Sequence, residues 1–362
     1  SQAVKAFHAR QQVPFRALER MAQALDLDEQ ALGTPAAQAD DSLGVRLREL
    51  KGGDATTFSQ AVVLGLAEAA WVIRKQIELG RALKEFDKSH LGNFGFKPHL
   101  DYGSFHNPAW LIGYDLAHQT RRYLGLAEDD PIESLKELIE RRLFIPVVQQ
   151  DLPEKFAGAT VASGGSRGIV VNLQGNNQNV WVRRMTLAHE LAHLLWDPDS
   201  RLRSLIVDKY TDVLSRYKRD ARDYVEMRAN GFAVEFLAPQ AAIRRVVDSA
   251  ENDADAIRLV MTTFGISKTA ALYHVANAFN RTKEFSGQIS SEPEVDWAGR
   301  EELAVSYFEP RSVPLSRRGH FAAYVVRAME NSLISGDTAS TLLGCEPTDL
   351  PIATRFVKQL IA

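Results

Sequence analysis

Two histidines four residues apart, with a glutamate directly after the first, stand at His189-Glu190-Leu191-Ala192-His193. On a helix this spacing puts both imidazoles one turn apart on the same face. Both can then reach one zinc ion at about 2.0–2.1 Å. Glu190 falls at the edge of that face, placed to take a proton from an attacking water and return it to a leaving amine. The chemistry outlined is metal-assisted hydrolysis of a peptide bond. Five residues are a short signal, and two helical histidines can also be simply solvated.

The element that must position them reads as a helix over 182–196 on independent grounds. Met185, Thr186, Leu187, Ala188, Leu191, Ala192, Leu194 and Leu195 surround the motif, and Asp197-Pro198 closes the run. A helix this apolar is a buried one, and a buried imidazole or carboxylate needs partners.

A catalytic zinc needs a third protein ligand and an open position for water. The acidic residues downstream are Asp197, Asp199, Asp208, Asp220, Asp223, Glu226 and Glu235. Asp197 and Asp199 fall at the helix end, too near in sequence to fold back comfortably. Glu226 lies in YVEMRANGFAVEFLAP, within a helix expected over 217–237. Its face, Glu226, Ala229, Asn230 and Ala233, is small and polar, leaving room for a carboxylate to approach a metal. The competing reading is a surface glutamate on an amphipathic helix.

The stretch GIVVNLQGNNQNVWVRRMTLAHELAHLLW, followed by EMRANGFAVEFLAP, resembles the ImmA/IrrE family of metallopeptidases. In that family a strand ending near an asparagine leads to a helix of the form T-x-A-H-E-L-x-H. Thr186, Ala188, His189, Glu190, Leu191 and His193 meet that form here. A later family helix, E-x-x-A-N-x-F-A-x-x-L-L-x-P, is met by Glu226, Ala229, Asn230, Phe232, Ala233 and Pro239. Phe236 and Leu237 stand in the two leucine places. The resemblance covers about 109–280. It implies an α+β, mainly helical fold with a zincin-like core, built of a small sheet, the HExxH helix and a glutamate-ligand helix. It also implies Zn2+ held by His189, His193 and Glu226, with Glu190 as catalytic base. The implied substrate is a partner protein, typically a helix-turn-helix transcriptional repressor whose cleavage switches on stress, mobile-element or phage-defence genes. The gap between His193 and Glu226 is long for the family, pointing to an inserted turn or short helix around 197–216.

Beyond these motifs the chain divides into a partial helix-turn-helix-like segment at 1–33, a helical region with an aromatic loop at 43–108, the peptidase region at 109–280 and a helical C-terminal region at 281–362. Helices are expected at 61–81, 109–124 and 131–142, and strands at 144–149, 159–162 and 168–173. At 362 residues and 45% hydrophobic, the chain can bury more than one core. A net charge of −3 gives no whole-chain reason to bind nucleic acid. Residues 1–50 carry six basic and seven acidic side chains, a weak electrostatic basis for DNA contact through that segment. One cysteine, Cys345, excludes an internal disulfide and fits a cytoplasmic protein. No apolar run reaches 18 residues, so no membrane span is expected.

The aromatic loop holds His90, His99 and His106; of these His99, flanked by Pro98, is a candidate to occupy the water position of a latent site, as is Cys345, which otherwise reads as a small buried hydrophobe. Tyr210 and His106 are candidates to stabilise an oxyanion. His274, in a helix capped by Ser267, reads as structural. A rival reading keeps the zinc but makes it structural, in a DNA-binding transcriptional regulator or antitoxin. Glu190 separates the two, because a structural site has no use for it.

Overall fold

The structure is a computed structural model describing residues 60–85, 108–153, 156–163, 166–197, 207–209, 221–280, 289–293, 295–301 and 307–361, with the isolated positions Pro14 and Ala17. Among the described residues four strands form one sheet: β1 (Val147–Gln150), β2 (Phe156–Ser163), β3 (Ser166–Asn172) and β4 (Val207–Lys209). Their spatial order is β1-β3-β2-β4, with β1 parallel to β3 and the other pairs antiparallel. Strand side chains alternate between faces, and here each face builds its own core. Val147, Ile169 and Val171 enter one apolar cluster, whereas Val148, Ala159, Val161 and Val170 enter the other.

The first cluster holds α2 (Ala109–Tyr123), α3 (Leu135–Glu137, continuing as a π-helical turn over Leu138–Arg142), α4 (Val180–Trp196) and α5 (Ala221–Leu237). It also takes in α6 (Gln240–Asp248), α7 (Asp253–Phe264), α8 (Lys268–Phe279) and Trp297 of α9 (Val295–Glu301). The second cluster joins α1 (Gln60–Ala82) to α10 (His320–Glu330), α11 (Gly336–Leu343) and α12 (Leu350–Ile361). Helices from the 43–108 and 281–362 segments therefore share one core behind the sheet. Arg317 ties them further, donating to Glu68 of α1 at 2.8 Å while its guanidinium lies over Trp71.

The fold is α+β and mainly helical, as the resemblance implies. Boundaries shift for local reasons. Phe144 sits at φ 53°, in the left-handed region, so β1 begins only after Pro146. The helix expected from 131 starts at the Ser134 cap, whose side chain accepts from Glu137 N. The carboxylate of Glu301 accepts from the next two amides, Leu135 N at 2.8 Å and Lys136 N at 3.0 Å. In its described part the 197–216 region contributes β4 as a strand on β2, and the remainder, where an inserted turn or short helix is expected, lies outside the described residues. No helix among the described residues is long and apolar enough to cross a membrane. The 1–33 segment, apart from two isolated positions, and the loop with His90, His99 and His106 lie outside the described residues, as does Tyr210.

Candidate metal centre

Helix α4 is nearly all buried, and both its ends are specified. Asn179 caps the start, its side chain accepting from Trp181 N and Val182 N. Pro198 follows the C-cap Asp197 and cannot extend the hydrogen-bond ladder. Two buried asparagines organise the entry to the helix. Asn172, ending β3, accepts from Leu152 N and donates to Phe156 O, while Asn177 donates to Ala157 O and accepts from Thr186 of α4. In mid-helix, fully buried Arg184 donates to Gly265 O and Ile132 O and pairs with Glu301 of α9.

This seating brings His189 and His193 against α5, where Glu226 meets them. Nε2 of His189 lies 3.0 Å from Nε2 of His193 and 3.1 Å from Oε2 of Glu226, which is 3.5 Å from His193 Nε2. Among the described residues this is the one group of three or more such side chains that could hold a metal ion, with donor atoms all within 4.8 Å of one another. Two ligands sharing a tetrahedral ion at about 2.05 Å are roughly 3.3 Å apart, and the three observed separations bracket that length. The side chains of the histidines are 3–4% exposed and that of Glu226 13%, so solvent reaches the group from the α5 side.

The tautomers agree with a cation. His189 Nδ1 faces Asn230 Oδ1 at 2.9 Å, and His193 Nδ1 faces Asp197 Oδ2 at 2.8 Å. With both Nδ1 protons given to these acceptors, the two Nε2 atoms turn lone pairs toward each other. A shared positive charge, metal or proton, relieves that clash. Without metal the pull is visible in the protonation. Burial drags the His193 imidazolium down, but its hydrogen bonds to Asp197 and Glu226 outweigh this and push it up to about 9. Burial likewise raises Glu226, yet its bonds to both histidines hold the carboxyl far below the usual carboxylate range. The donor set therefore fits a divalent ion.

Glu190 lies on the sheet side of α4. Thr160 of β2 places its hydroxyl 2.9 Å from Glu190 Oε2 and 3.2 Å from the Glu190 carbonyl oxygen. Two residues back on the same face, Gly158 leaves the space the carboxylate uses. A Cβ there would stand 2.8 Å from Thr186 Cγ2 and 3.1 Å from Glu190 Oε1.

The fates of the other acidic candidates differ. Asp197 does bend back, one turn beyond His193, but onto Nδ1 and not onto the metal edge; Arg228 of α5 pairs with its other oxygen. The spacing His-x-x-x-Asp carries that signal in the sequence. Asn230 belongs to the small polar face of α5, and its contact to His189 has no signature in the local sequence. Thr160 and Gly158 leave no sequence signal, because their role exists only once β2 lies across α4. Glu235 joins a separate buried group, with His118 at 3.1 Å, His274 at 3.2 Å and Gln240 N at 3.0 Å. His274 is also held by Tyr114 and Ala238 O, which makes it structural. Asp199 and Asp220 lie outside the described residues. Cys345 packs against the cluster behind the sheet, on the face away from α4, and so does not reach the centre.

Residues 168–275, from β3 into α8, match the family described as the IrrE N-terminal-like domain, Peptidase_M78. The match includes both helices that build the centre and coincides with the two motifs that carry the ImmA/IrrE resemblance. It supports a metallopeptidase type of function for this part of the chain. No curated protein matches the chain significantly.

Proposed function

We propose that this chain, whose central third matches a peptidase family, is a cytoplasmic zinc-dependent endopeptidase acting on a partner protein. The observation that carries the reading is the convergence of two Nε2 atoms and a carboxylate oxygen within 3.5 Å, with both Nδ1 atoms already engaged. His189, His193 and Glu226 would hold the ion. Bound there, zinc supplies a Lewis acid that polarises a carbonyl and makes water more acidic.

The remaining work falls to side chains. Asn230 and Asp197 hold the two imidazoles in the tautomer that points Nε2 inward. Arg228 pairs with the other oxygen of Asp197 and so holds that carboxylate against the His193 ring. Glu190 accepts the proton of the attacking water and passes it to the leaving amine, while Thr160 fixes one oxygen of its carboxylate.

The partner we propose is a repressor-type helix-turn-helix transcription factor, whose cleavage would derepress stress, mobile-element or phage-defence genes. Support for that choice is the family resemblance. DNA contact through the N-terminal segment is not needed for this activity. The test is co-incubation of the zinc-loaded chain with the repressor encoded beside its gene. Wild type should cleave it, and Glu190→Gln should keep fold and metal but lose cleavage. A Glu190→Gln protein retaining full biological effect would instead favour a regulator with a structural zinc.

A further inference from the structure

The metal centre lies between two helices with different seats. Helix α4 is fixed by the sheet and by the Arg184–Glu301 pair. Helix α5, which brings Glu226, Asn230 and Arg228, lies along α2. The two run in the same direction: Trp110 and Gly113 meet the 228–232 turn, while His118 and Arg121 meet Glu235 and Phe236.

Their approach is closest where each has a glycine. A Cβ on Gly113 would stand 2.2 Å from Arg228 O and 2.5 Å from Phe232 N. One on Gly231 would stand 2.4 Å from Trp110 O and 2.9 Å from Trp110 Cα. All four atoms are backbone, so no rotamer change makes room. Ordinary contact begins near 3.4 Å, so an alanine at Gly113 must drive the helices apart by about 1 Å.

That displacement would not be shared evenly. At the far end Arg121 donates to Phe236 O at 2.8 Å, and His118 pairs with Glu235. These contacts clamp the C-terminal halves, so the helices splay at the end that carries Glu226 and Asn230. A metal site tolerates only about 0.2 Å in its ligand distances. We infer that the Gly113–Gly231 crossing is a positioning device for the metal centre, setting the depth at which α5 presents Glu226 and Asn230 to the α4 histidines.

This rests on the metal-centre reading, and the experiment separates the two. Zn2+ affinity of the metal-stripped full chain is measured by competition with a chelating indicator. Thermal midpoints are taken with and without Zn2+, and the Co2+ absorption spectrum reports the ligand geometry. The variants are Gly113→Ala and Gly231→Ala; the control is Gly299→Ala, where nothing lies within 4 Å of the added Cβ.

Wild type and control should bind one Zn2+ equally tightly. Both crossing variants should bind at least tenfold more weakly, with a smaller Zn2+-induced rise in midpoint and an altered Co2+ spectrum. Midpoints that fall equally with and without metal, at an affinity within twofold of wild type, would reduce the crossing to packing and overturn the inference. Failure of both variants to fold would do the same, by making the crossing a requirement of folding. Absence of Zn2+ binding in wild type would remove the metal reading itself.

Discussion

Asp197 and His193 are joined at 2.8 Å, carboxylate oxygen to Nδ1, across the last turn of α4. The same carboxylate pairs with Arg228 of α5, so one side chain orients a candidate ligand histidine and ties together the two helices that carry the candidate site. Partners of this kind typically contribute 10–100-fold to metal affinity. Asp197→Asn should therefore weaken Zn2+ binding by about that factor while the protein remains folded. Competition with a chelator checks this; an unchanged affinity would show that Asp197 serves only as a helix cap.

Thr160 donates to the carboxylate that we propose as general base. A hydrogen bond to a charged group contributes about 1.5–3 kcal/mol. Thr160→Val removes this donor, so kcat/KM for partner cleavage should fall about 10–100-fold while Zn2+ affinity stays at the wild-type value. A cleavage rate within about twofold of wild type would show that Thr160 does not set the Glu190 carboxylate.

Glu301 holds a fully buried arginine and caps α3 in one gesture. Removing one member of such a pair leaves the other charge without compensation, at about 3–5 kcal/mol. Glu301→Ala should lower the stability measured by urea unfolding by that order. A loss below about 1 kcal/mol would mean that water reaches Arg184.

The buried Glu235 predicts an acid dependence. Burial raises its pKa, but hydrogen bonds from His118 and His274 prevail and bring it from 4.5 to about 2. A depressed carboxylate contributes its full stabilisation above the unfolded value, and loses it as pH falls from about 4.5 toward 2. His118 has the opposite sign. Its bond to Glu235 raises it above 6.5, so its contribution is complete below that value and is lost as pH climbs through the raised one. The urea midpoints of metal-free wild type and Glu235→Gln should therefore converge below pH 4.5. A gap that stays constant from pH 6 to pH 3 would assign the stabilisation to neutral hydrogen bonds.

What the sequence determines by itself is the part of this protein governed by short-range geometry. His189 and His193 share a face because four residues make about one helical turn, and Pro198 ends that helix wherever it packs. Glu226 was legible too, through the small and polar face it shares with Ala229 and Asn230. The tertiary structure decided everything that depends on which surfaces meet. Asp197 became the partner of Nδ1, Thr160 and Gly158 the setting of Glu190, and Gly113 and Gly231 the closest approach of α2 to α5. The same holds for the start of α3, capped by a glutamate more than 160 residues downstream. β4 has three residues, too few for a period of two, and exists through its pairing with β2. Local periodicity records how a chain turns, whereas these contacts arise only after distant segments have packed. For that reason the three candidate ligands could be named from the sequence, and the residues that hold them in place could not.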